Sequence, residues 1–303
     1  MLLTSAMILG ACAAPLPTES SGETGSAIIG GSIDKADPAI VELIMDVGED
    51  GGTCTATFIS QTVLLTAAHC VVDENNPKII PANATFKIML APSATTAKTT
   101  DFITVPTANV HFHPQYDGNG AHDVAIVVLD QPVNVTPIPI GRTALTQADV
   151  GKRVRIVGYG MSQRVESAND GSETKRTVTT AIMSLQGDLV GIGSSNGQAC
   201  NGDSGGPALL SINGVETLIA TDDLAAMATN CAGGDLYQRT DLHLDFIDQY
   251  LDGGVVTDPT QTTVGDTGTT DTGTDTSTDP CQDPNSDAYW DETQCPVSGT
   301  QAG

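Results

Sequence analysis

The stretch Ala199–Leu209, ACNGDSGGPAL, sets one hydroxyl, Ser204, in a glycine-rich bend with a carboxylate, Asp203, directly before it. A flexible linker needs neither Cys200 nor Pro207, and a core strand does not tolerate the glycines. The segment therefore reads as a backbone held in an unusual shape around Ser204. A serine hydroxyl is a weak nucleophile until a base takes its proton and a third group orients that base. Of the five histidines, His69 lies in LLTAAHC, an apolar run ending in small residues. Asp123 lies in AHDVAIVVL, an acid leading into an apolar run. Taken singly, His69 reads as a structural histidine and Asp123 as a turn residue. Taken with Ser204, they supply a base, an orienting acid and a nucleophile.

The elements that must hold these residues are short and β-rich. Val41–Met45, Thr55–Ile59, Phe86–Leu90, Val124–Leu129, Val154–Val157, Thr177–Met183 and Thr217–Thr221 are separated by Gly, Pro, Asn and Asp. Many short strands with such punctuation predict an all-β barrel or sandwich. One helical pattern closes this region, with Leu242, Leu244, Phe246, Ile247, Tyr250 and Leu251 within Asp241–Leu251.

The chain order His69, Asp123, Ser204 differs from α/β-hydrolases, where serine comes first, and from subtilisins, where aspartate does. With that order the chain resembles the chymotrypsin/trypsin family of serine proteases over residues 28–251. Its TAAHC, HDVAIVVL and GDSGGP are similar to the family's TAAHC, DIALL and GDSGGP. Gly158-Tyr159-Gly160 resembles GWG, His113-Pro114-Gln115-Tyr116 resembles HPxY, and Ile28-Ile29-Gly30-Gly31 resembles the mature IVGG start.

The resemblance implies an all-β fold of two six-stranded antiparallel barrels with a C-terminal helix. It implies Ser204 as nucleophile, His69 as general base and then acid, and Asp123 as the buried acceptor that fixes the tautomer of His69. It implies an oxyanion hole from the backbone N–H groups of Gly202 and Ser204. Asp203 would pair with a new α-amine at Ile28 when the chain is cut after Ala27, making the uncut chain a zymogen. Ala27 is neither Lys nor Arg, so the unknown activating protease is expected to be elastase-like or signal-processing.

This sequence departs from the family around the specificity pocket. Gln198 stands six residues before Ser204, where trypsins carry Asp. Asp235, two before Tyr237, stands where many relatives have Gly. It either attracts Lys or Arg from the opposite wall or points to solvent. Asp223-Leu224-Ala225 is the counterpart of the family's SWG. An acid there either sets like charges beside Asp123 and raises a pKa, or lies one residue out of register. The family's extra disulfide before the nucleophile loop is absent, since LVGIGSSNGQ has no cysteine.

The remaining sequence concerns targeting. Residues 1–13, with an apolar run ending in small residues, read as a signal peptide, and 14–27 as a propeptide. Leu9-Gly10-Ala11-Cys12 resembles a bacterial lipoprotein signal, which makes Cys12 a lipidation candidate, and cleavage after Ala13 competes with it. The expected location is secreted or attached to a bacterial cell envelope. Export permits disulfides. Setting Cys12 aside from the seven cysteines leaves six, for which the local pairs Cys54–Cys70, Cys200–Cys231 and Cys281–Cys295 are the economical reading among many.

Residues 252–280, rich in Thr, Asp and Gly, read as a disordered acidic linker, and 281–303 as a small cysteine-closed tail. No acid spacing in that tail matches a calcium loop, and neither a metal nor a cofactor is expected. Twelve Lys plus Arg against 37 Asp plus Glu, a net charge of −25, argue against nucleic acid as a partner. The expected partners are protein or peptide substrates of a monomeric endopeptidase. The rival readings are a catalytically silent relative that binds through the same barrel, and a surface-attaching tail.

Overall fold

The computed structural model describes residues 28–48, 51–162, 172–194, 197–223, 231 and 233–251. All fall in one compact unit, Met1–Gln261. The leader, the propeptide, Cys12, Leu224-Ala225, the acidic linker and the Cys281–Cys295 tail lie outside the described residues.

The strands are β1 Ser32–Ile33, β2 Ile40–Asp46, β3 Gly52–Phe58, β4 Val63–Thr66, β5 Thr85–Met89, β6 Phe102–Val105, β7 Val110–Phe112, β8 Ala125–Val128, β9 Arg153–Gly158, β10 Arg176–Gln186, β11 Leu189–Ile192, β12 Pro207–Ile212, β13 Val215–Asp222 and β14 Asp235–Arg239. Every strand expected from the sequence is present. The first sheet runs β6-β5-β2-β3-β4-β8-β7, all antiparallel. Among the described residues no ladder joins its end strands, so it forms a half-barrel. β6 stops at Pro106, which has no N–H to extend the ladder. The second sheet runs β10-β11-β14-β13-β12-β9 and closes through β9–β10 pairing into a six-stranded barrel, with β1 on its outside.

Each sheet wraps its own core, because alternate side chains of every strand point inward. The first holds Val41, Leu43, Phe58, Leu64, Phe86 and Val127. The second holds Ile28, Val154, Ile156, Ile192, Leu210 and Tyr237. A third apolar set, including Ile40, Leu65, Ile126, Val157, Leu209, Phe246 and Ile247, fills the seam between them. The seam matters for function, since it fixes the loops of the two sheets against each other.

Two local expectations change. The strand read as Thr177–Met183 runs on to Gln186, but its register slips between Ile182 and Ser184, which leaves Met183 42 % exposed. The expected helix Asp241–Leu251 is broken into a 3-10 turn at Thr240–Leu242, a four-residue helix α1 at Leu244–Ile247 and a second 3-10 turn at Asp248–Tyr250. His243 causes the break. Its ring is buried and its Nδ1 lies 2.8 Å from the Arg239 carbonyl, while Leu242 turns outward.

Glu42 on β2 is a buried carboxyl whose Oε1 has no hydrogen-bond partner. Burial, with Glu173 adding, pushes it up to about 8. A carboxyl raised in the fold stabilises it most below the ordinary carboxylate range, and that contribution is lost as pH rises toward 8. The Glu42→Gln variant is therefore expected to flatten stability between pH 5 and 8, by a few kcal/mol relative to the parent, in denaturant melts across that range. Parallel curves for the two proteins contradict this.

Candidate active site

His69 and Asp123 come from the first sheet, Ser204 from the second. β4 ends at Thr66, and the small, fully buried residues Ala67 and Ala68 lead from it to His69. There the His69 backbone N–H donates to Asp123 Oδ1 at 2.8 Å, and Nδ1 lies 2.5 Å from Asp123 Oδ2. Asp123 is fully buried, just before β8. Burial works to raise its carboxyl. The charge and hydrogen bonds of His69, with a hydrogen bond from Asp223, outweigh burial and hold it below the usual carboxylate range. With Nδ1–H given to Asp123, Nε2 keeps its lone pair, a tautomer assigned from this network.

Ser204 is tied to the same place by its main chain. Its carbonyl accepts from Thr55 N–H at 2.8 Å, and Thr55 Oγ1 donates to the Gly202 carbonyl at 3.1 Å. The Cys54–Cys70 disulfide sits between the parts: Cys70 Sγ lies 3.7 Å from the Ser204 carbonyl and 3.8 Å from His69 Nε2. The Ser204 Oγ–His69 Nε2 hydrogen bond is not formed here. Catalytic hydrogen bonds are often long or unformed without substrate and tighten when it binds.

The backbone of the turn is sorted by its hydrogen bonds. Asp203 N–H donates to Cys200 O at 2.9 Å, Gly205 N–H to Asp222 O at 2.8 Å and Gly206 N–H to Asp203 O at 2.8 Å. Among the described residues the N–H groups of Gly202 and Ser204 have no protein acceptor. They are the donors left for an anionic oxygen. Gly202 adopts φ +94° to allow this. Gly205 is also obligatory, because a Cβ there would lie 2.2 Å from Thr66 Oγ1. Cys200–Cys231 anchors the loop.

Asp203 turns away from the hydroxyl into the second barrel. Its carboxylate accepts from Gly160 N–H at 2.8 Å, from Cys200 N–H at 2.9 Å and from Ile28 N–H. Burial pushes it up to about 7 against these donors, with Asp235 adding. Ile28 is fully buried and has φ +52°, an unfavourable conformation for a β-branched residue. Gln198 is also fully buried. Its Oε1 accepts from Gly233 and Gly234 N–H, both at 2.8 Å, so its carbonyl end is committed to that turn while Nε2 has no partner.

Asp235 is buried in β14, which leaves no room for a solvent-facing reading. Sequence reasoning missed Asp222. It lies opposite Tyr237 in the β13–β14 ladder, so it shares a face with Tyr237 and with Asp235 two residues earlier. Asp222 Oδ1 has no partner, and burial together with Asp235, Asp203, Asp223 and Asp123 pushes its carboxyl well up. The expected rise from like charges thus falls on Asp222, while Asp123 is held down. The detectable signal was an acid at the end of the apolar run Leu218–Ala220 of a strand whose last six residues are all buried.

Two antiparallel sheets joined at an apolar seam, with a His–Asp pair from one and a serine turn with two free amides from the other, define the serine-protease class. The chain belongs to the trypsin family, whose model matches residues 28–247. It is 29 % identical over 208 residues to brachyurin of Leptuca pugilator, covering 64 % of this chain and 85 % of that one. It is 28 % identical over 200 residues to serine protease SP24D of Anopheles gambiae, covering 61 % and 68 %. It is 22 % identical over 259 residues to vitamin K-dependent protein C of Rattus norvegicus, covering 78 % of this chain and 54 % of that protein.

Proposed function

We propose that residues 28–251 are a serine endopeptidase that cleaves protein or peptide substrates through an acyl-enzyme on Ser204. The observation that carries this is the His69–Asp123 contact beside a serine turn whose Gly202 and Ser204 amides are uncommitted. Ser204 Oγ attacks the scissile carbonyl while His69 Nε2 takes its proton. The C–O bond forms and the carbonyl electrons move to oxygen, which the two amides receive. As that oxyanion collapses, the C–N bond breaks and His69 returns the proton to the leaving amine; water then repeats the sequence to free Ser204.

The domain is made as an exported zymogen. The apolar leader supports export, and Leu9–Cys12 supports a bacterial envelope lipoprotein. Cleavage after Ala27 by a separate protease then frees the monomeric enzyme from a lipid on Cys12. Finding Cys12 attached to active enzyme contradicts this release.

The substrate side chain before the scissile bond is Lys or Arg. Asp222 and Asp235 put two buried carboxyls on one face of the β13–β14 ladder, and Asp222 Oδ1 has no hydrogen-bond partner. A substrate cation complements that pair. Paired peptide substrates differing only at that position test the reading. The Lys and Arg forms are expected to be preferred, and Asp235→Asn to lower their kcat/KM by about 10²-fold with little change for a Leu form. A preference for Leu that the variant leaves unchanged contradicts it.

A further inference from the structure

Asp223 follows β13, is buried, and has no part in the steps above. Its carboxyl, the Asp123 carboxylate and the His69 imidazole present ligand atoms all within 4.8 Å of one another. Their closeness allows a carboxyl–carboxyl hydrogen bond that holds Asp123 down. A hydrogen bond between two carboxyls needs a proton on one of them, and two ionised carboxylates this close in a dry site repel strongly. Asp123 already faces both the backbone N–H and the ring Nδ1 of His69. It is therefore the ionised member, and the proton resides on Asp223.

We propose that Asp223 is a positioning residue: as a neutral carboxylic acid it donates its O–H to Asp123 and holds that carboxylate against His69. The inference rests on the proteolytic reading of the site. Among the described residues, the titratable groups facing Asp223 include His69 from the loop after β4, Asp123 from the entrance to β8, Tyr116 from the loop after β7, and Asp222 from the end of β13. Asp117 acts on Tyr116 from the same loop, and Asp235 and Asp203 act on Asp222. The departure from the family at this position thus becomes a second proton-bearing carboxyl in the catalytic row.

The test compares the full chain, cut before Ile28, with Asp223→Ala and Asp223→Asn across pH. Asp223→Ala is expected to lower kcat/KM at neutral pH about tenfold or more, through loss of a hydrogen bond to a charged group. Asp223→Asn retains a donor and adds no charge. It is expected to recover most of that loss and to leave the acid limb of the profile where it is. An ionised Asp223 gives a different signature: Asn then removes a negative charge beside His69 and moves the acid limb down by about one pH unit or more.

That movement, or equal activity of the Ala and Asn variants, overturns the proposal. The His69 imidazole titration, followed by NMR in the same proteins, reads the same charge without turnover. If the parent has no activity, the proteolytic reading fails. The NMR comparison still decides Asp223: an unmoved titration in Asn supports it and a lowered one overturns it. If Ala does not fold, the Asn comparison stands alone.

Discussion

His69→Ala is expected to lower kcat by about 10⁴–10⁶-fold while the protein still folds. The magnitude follows from what His69 does in the proposed reaction. It removes the proton that makes Ser204 nucleophilic and returns it to the leaving group, and no other described imidazole contacts Asp123. Ser204→Ala is expected to cost about the same, and the double variant little more, because the groups act as a unit. The residue of activity that survives comes from the Gly202 and Ser204 amides, whose contribution does not depend on the side chain at 69. His69 is partly exposed, with its side chain at 20 %, so its truncation disturbs the core little. Single-turnover and steady-state rates on one ester substrate check this. A loss below tenfold in His69→Ala places the chemistry elsewhere.

The second large effect concerns Ile28 and Asp203. Cleavage after Ala27 is expected to raise activity by about 10²–10³-fold, and Asp203→Asn in the cut chain to undo that gain. Asp203 is buried and pushed up to about 7 while its partner at Ile28 is a neutral amide N–H. A free α-ammonium at the same place replaces that dipole with a full charge and reverses the shift. The sign for stability follows. In the uncut chain the raised carboxyl contributes most below the ordinary carboxylate range, and the contribution declines as pH rises toward 7. In the cut chain, up to the pH at which the amine deprotonates, the depressed carboxyl contributes most above that range and is lost on acidification. Melts of the two forms between pH 4 and 7 are expected to run with opposite slopes. Parallel melts with unchanged activity contradict the activation account.

Much of this was legible in the sequence because it is local. Gly202 and Gly205 need conformations or closeness that other residues cannot supply, so the turn around Ser204 is written in its own residues. The strands were legible because of their β-rich runs between turn residues, and β5 and β9 also open with alternating buried and more exposed positions. What depended on register was not legible. Asp222 is an ordinary acid until the β13–β14 pairing sets it on the same face as Asp235. Gln198 occupies the expected position, but only the fold commits its carbonyl to Gly233 and Gly234. The helix read from Asp241–Leu251 was misjudged because periodicity cannot see His243 bonding back to Arg239. Asp223 was visible as a like charge near Asp123, but its closeness to both Asp123 and His69 was not.

The most direct measurement is intact mass after reaction with a fluorophosphonate, on chains with and without cleavage before Ile28. The account predicts one adduct, on Ser204, formed rapidly only in the cut chain and absent from Ser204→Ala. A cut, folded chain that takes up no fluorophosphonate contradicts it, and makes the barrel a binding scaffold with Asp223 as the first residue to replace.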